Sequence, residues 1–75
     1  MNGFINKAAL NARRSLYRKG VRVELVSMND PFTNLKPGDR GTVDCVDDIG
    51  TIFVNWDNGS SLGIVYGEDA VKILR

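Results

Sequence analysis

Histidine is absent from the 75 residues, and cysteine occurs once, at Cys45. Without histidine, no side chain titrates between roughly pH 5 and 8 at its ordinary pKa. A lone thiol closes no intrachain disulfide, so nothing here calls for an oxidising compartment. One cysteine and no histidine also fail to supply the ligands of a structural zinc site. The two prolines, Pro31 and Pro37, fall in one stretch, which leaves the rest of the chain open to regular structure. No apolar run approaches the roughly 20 residues that span a bilayer, and the N-terminus has no continuous signal-peptide stretch. A cytoplasmic location with no membrane partner is therefore expected.

Acidic side chains are missing from residues 1–22, which hold six basic ones: Lys7, Arg13, Arg14, Arg18, Lys19 and Arg22. Residues 23–75 hold four basic and nine acidic side chains. The net charge of +1 thus conceals two parts of opposite sign. Local potential, rather than net charge, attracts phosphate-bearing partners.

The period of the apolar residues changes once. Residues 4–19 contain no Gly or Pro. Ile5, Ala8, Ala9, Ala12 and Leu16 recur at helical spacing, with Lys7, Arg14 and Arg18 opposite and Arg13 on a flank. Asn2 is a candidate N-cap and Lys19-Gly20 a candidate helix end. From Gly20 the period becomes two. Val21, Val23 and Leu25 mark one strand, Val43 and Cys45 a second, and Ile52, Val54 and Trp56 a third. Leu62 and Ile64 mark a fourth, and Val71 and Ile73 a fifth. Asp47-Asp48-Ile49-Gly50 and Asp57-Asn58-Gly59 read as hairpin turns. The long stretch 28–39 reads as a loop. These elements predict a mainly β fold: a small five-stranded SH3-like barrel over residues 20–75, preceded by a basic amphipathic helix in residues 1–19. Val26, Val46, Phe53 and Val65 fall on the outer face and are expected to receive the helix through Ile5 and Leu16.

The stretch Gly20–Leu74 resembles a family of small bacterial and mobile-element domains of unknown function. The resemblance rests on DPFTNLKPGDRGTV, VDDIGTIFVNWDNGS and LGIVYGED, which recur in order and spacing. It implies an SH3-like barrel and a phage or mobile-element setting. It implies no activity and no site residues. Gly38, Gly41, Gly50 and Gly59 fall where turns need positive φ or close backbone approach, so much of the motif serves the fold.

Catalysis is not expected. No histidine is present to shuttle protons, no Ser or Cys stands beside a recognisable base, and there is no phosphate-cradling glycine loop. Cys45, alternating with Val43, reads as a small buried hydrophobe. The turn carboxylates are expected to bond local amides, with no spacing that suggests a metal site, and no cofactor is implied.

Two candidate sites follow. The first is the basic helix. Lys7, Arg13, Arg14, Arg18 and Lys19, with Arg22, would bind the phosphates of a nucleic acid or nucleoprotein. Alternatively they form a solvated face or a protein contact. A membrane-surface helix is weak because its apolar stripe is mostly alanine. The second is a groove flanked by Phe32 and Tyr66, with Trp56 in the core or at its rim. The plainer reading has Phe32 plugging the barrel end. The functional expectation is a non-enzymatic binding module contacting nucleic acid. The alternative is a protein–protein module, such as a phage-encoded inhibitor of a host defence nuclease. Oligomeric state is left open.

Overall fold

The computed structural model describes residues 4–30 and 32–75. Helix α1 (Lys7–Leu16) leads into strands β1 (Arg22–Ser27), β2 (Arg40–Val46), β3 (Ile52–Trp56), β4 (Gly63–Ile64) and β5 (Ala70–Ile73). All five expected strands form, in one antiparallel sheet of order β4-β3-β2-β1-β5. The two end strands, β4 and β5, do not pair, so the sheet is open and the closed barrel is not formed among the described residues. A two-residue β4 offers little ladder to close with.

One face of this sheet carries the core. Val23, Leu25, Val43, Ile52, Val54, Trp56 and Ile64 are buried, and Leu35 from the β1–β2 loop joins them. The helix contributes no buried residue. A single sheet whose inner face is buried without a helix over it must coil back on itself, as strand twist favours. Leu35, not Phe32, is the loop residue that enters this core; Phe32 is 92% exposed. The Trp56 indole N–H donates to the Leu62 carbonyl at 2.9 Å, so its burial leaves no donor orphaned.

The outer face is polar along β2, β1 and β5. Glu24 lies opposite Arg40 on one side and Lys72 on the other, and its carboxylate meets both cations, at 3.1 and 3.3 Å. These two partners hold the Glu24 carboxyl below its usual pKa. Both turns expected to close hairpins are built alike. Gly50 N–H donates to Asp47 O and Gly59 N–H to Trp56 O, with the glycines at φ +87° and +96°. No non-glycine residue has positive φ among the described residues. Each turn therefore uses a three-residue loop ending in a left-handed glycine, rather than an Asn-Gly pair with both residues at positive φ.

Expectations about the β2 alternation and about the helix are corrected. The β2–β3 register shifts between Val43 and Cys45, so Val43 faces Val54 but Cys45 faces Phe53 and Val46 faces Ile52. One extra residue reverses the alternation beyond it. Cys45 is consequently exposed, and Val46 packs on the core. The helix is shorter than residues 4–19, and its cap is Asn6, whose side chain accepts from Ala9 N–H at 2.8 Å; Asn2 lies outside the described residues. The helix is also rotated by about one residue. Ala9, Leu10, Arg13 and Tyr17 are its half-buried positions, whereas Ala8, Ala12 and Leu16 are exposed. Alanine methyls offer little area; the long Arg13 stem and the Tyr17 ring cover more. Leu16 therefore does not dock, and Val26, Phe53 and Val65 remain partly exposed.

Candidate functional site

The helix is fastened to the sheet by its cations. Arg13 Nε donates to the Gly50 carbonyl at 2.6 Å, in the β2–β3 turn. The Arg13 guanidinium lies over two rings, 5.7 Å from the Tyr17 centroid and 5.2 Å from that of Tyr66. Arg13 Nη2 is buried without a hydrogen-bond partner among the described residues, and burial lowers the guanidinium pKa from its ordinary value. Arginine remains charged at neutral pH regardless, so the two π faces are what compensate the lost hydration. Arg14 pairs with Asp48 at 2.7 Å. Arg22 forks onto both Asp57 oxygens at 2.7 Å and donates to Thr42 Oγ1 at 3.0 Å. That fork raises the Arg22 pKa and lowers that of Asp57. Lys19 stands 3.8 Å from Asp44.

Four of the six cations read as a phosphate-binding face are thus turned toward this chain's own carbonyl or carboxylate oxygens. Lys7 and Arg18 have no partner among the described residues. The second candidate site is not assembled. Trp56 is buried in the core. Phe32 lines a shallow depression with Asp30, Thr33, Asn34 and Ser60–Leu62, while Tyr66 lies in a different cleft.

That other cleft is made where the helix entry meets two turns. Its walls are Phe4 and Ile5 ahead of α1, Asp48, Ile49 and Thr51 of the β2–β3 turn, and Val65 and Tyr66 after β4. Its volume is about 280 Å³. Each wall is held by local hydrogen bonds. Asp47 Oδ1 accepts from Ile49 and Thr51 N–H, and Asp69 Oδ2 accepts from Val65 N–H while the Val65 carbonyl accepts from Glu68 and Asp69 N–H. Gly50 forms the junction. A Cβ there would come within 2.9 Å of Ile5 Cδ1 and 3.5 Å of Tyr66 Cβ, at a φ that other residues rarely adopt. The rim is apolar and open to solvent: Phe4 is 90% exposed, Ile49 68% and Val65 43%.

Sequence reasoning did not find this cleft. Ile49 is its clearest signal, an isoleucine in an otherwise polar turn, where burial gives no reason for one. Tyr17, Tyr66 and Arg13 are separated by up to 53 positions and meet only after the sheet forms.

Helix and open sheet define a small mainly β domain, with the cleft lying at the junction of the helix entry and two turns. The chain belongs to the family described as a domain of unknown function (DUF4314), whose model matches residues 6–74. The match starts at the helix cap Asn6 and so takes in the helix as well as the Gly20–Leu74 stretch. No curated protein and no solved structure matches the chain. Among the described residues, no helix is long and apolar enough to cross a membrane.

Proposed function

We propose that this domain is a non-enzymatic protein-interaction module that receives an apolar side chain of a partner in the cleft between α1 and the turns at 47–51 and 65–69. The observation that carries this reading is the contiguous exposure of Phe4, Ile49 and Val65 around one concavity. Solvated apolar side chains grouped at a depression mark contact surfaces far more often than scattered ones do. An open cleft of about 280 Å³ has room for one large side chain. The open sheet is read as an SH3-like barrel short of closure, with the cleft away from the Phe32 loop. Nucleic-acid binding is the competing reading, and engagement of Arg13, Arg14 and Arg22 within the molecule weakens it.

A pull-down from the native host, with and without nuclease, separates the two. Ile49→Gln removes the apolar rim without adding charge. Lys7→Gln with Arg18→Gln removes the two cations of the expected phosphate-binding face that have no partner among the described residues. Partners retained after nuclease, lost with Ile49→Gln and kept with the double variant support the module. Partners lost to nuclease or to the double variant, but indifferent to Ile49→Gln, identify a nucleic-acid binder instead.

A further inference from the structure

Asparagine is followed by glycine twice, at Asn2-Gly3, outside the described residues, and at Asn58-Gly59 in the turn between β3 and β4. Such a pair carries a reaction of its own. The glycine backbone nitrogen, having lost its proton, attacks the asparagine side-chain carbonyl carbon. Ammonia leaves and a cyclic succinimide closes. Water then opens the ring to aspartate or isoaspartate. A side chain on the following residue crowds the attack, and glycine has none.

The two hairpin turns are built alike, yet only one holds this pair. Ile49 precedes the left-handed Gly50, and Asn58 precedes the left-handed Gly59. Gly59 is required by its φ of +96° rather than by crowding, since a Cβ there would meet nothing within 4 Å. The fold engages both reacting groups. Gly59 N–H donates to the Trp56 carbonyl at 2.9 Å, and Asn58 Oδ1 accepts from Ser60 N–H at 2.9 Å. A donated backbone N–H gives up its proton only when its bond opens, as in amide exchange. Asn58 itself is exposed. The same turn completes the buried Trp56, whose backbone N–H donates to the Ser60 carbonyl at 2.9 Å.

We propose that Asn58 is a deamidation site, closed in the folded turn and reactive when that turn opens, and that its isoaspartyl product cannot rebuild the turn. Isoaspartate routes the main chain through the former side chain. It adds a methylene between positions 58 and 59, inside the loop that the Gly59–Trp56 bond closes. Aspartate keeps the main-chain length and an oxygen for Ser60 N–H. Conversion to isoaspartate therefore removes opened molecules from the native pool irreversibly.

The test incubates the full chain in native buffer and in guanidinium chloride above its unfolding transition. Peptide mass mapping follows Asn58 and resolves it from Asn2. A synthetic peptide of residues 55–61, run in both solvents, supplies the effect of denaturant on the chemistry alone. The expected result is conversion at Asn58 at least about tenfold slower in the folded protein, the factor set by one or two hydrogen bonds of ordinary net strength. The slowing should match the exchange protection of the Gly59 amide. Equal corrected rates in the two states would overturn closure by the turn, and no conversion in denaturant would overturn the site. Refolded isoaspartyl protein should unfold at lower denaturant than Asn58→Asp, which stands for the other product. Coincident transitions would overturn the claim that isoaspartate breaks the turn.

Discussion

Sheet and helix are held by different forces. The sheet and its long loop supply every buried apolar side chain, eight in all among the described residues. The helix supplies none, and is joined to the sheet by an arginine between two tyrosines, a backbone carbonyl and an ion pair. The sheet is therefore expected to persist when helix docking is weakened, whereas a helix of ten residues is marginal alone and depends on the sheet. The contrast assigns stability to the sheet and the shape of the cleft to the helix junction, because Ile5 and the Arg13–Gly50 contact lie at its wall.

Substitutions in the sheet should damage everything at once. Ile52→Ala or Val54→Ala empties a fully enclosed position and should destabilise the domain by about 2–4 kcal/mol. That is a large share of the roughly 4–11 kcal/mol expected for this length. Urea unfolding should show one cooperative transition moved to lower denaturant. Arg13→Ala should behave differently. Loss of two π contacts and the bond to Gly50 should weaken helix docking by about 1–2 kcal/mol. Amide exchange should then accelerate in residues 7–16 while Val23, Val43 and Val54 stay protected. Acceleration throughout the sheet would show that the two regions are not separable.

Gly50→Ala forces a side chain into a left-handed position and toward Ile5, with an expected cost of about 1–2 kcal/mol. Its exchange pattern should resemble that of Arg13→Ala, because both act at the same junction. Acid sharpens the comparison from the sheet's side. Glu24 and Asp57 have pKa values lowered by their arginine and lysine partners. Their contribution is present above the ordinary carboxylate range and is lost as pH falls below that range and through the lowered values. Glu24→Gln should flatten that part of the stability–pH curve. The smallest effect is expected at the exposed pair Arg14–Asp48. Asp48→Asn should change stability by no more than about 0.5 kcal/mol.

The strands, both hairpin turns and most of the core were legible in the sequence because alternation and turn glycines are local signals. Ile52, Val54 and Trp56 alternate without interruption, and the structure buries all three. The failures share one cause: each depended on a relation between elements. The bulge that sends Cys45 outward and Val46 inward exists only in the register of β2 against β3. The rotation of α1 follows from what Arg13 finds at Gly50 and Tyr66, residues on distant elements. A periodicity count treats arginine as a solvent-facing residue. It therefore placed the cations outward and missed the one that fastens the helix.

Arg13 and Arg22 are turned inward, onto this chain's own oxygens. Side-chain ¹⁵N NMR of the arginine Nε–H groups tests it most directly. Arg13 and Arg22 should show resolved, slowly exchanging Hε or Hη signals, with Arg13 displaced upfield by the Tyr17 and Tyr66 rings, while Arg18 exchanges like free arginine. An Arg13 signal that exchanges as fast as that of Arg18, with no ring displacement, would contradict it.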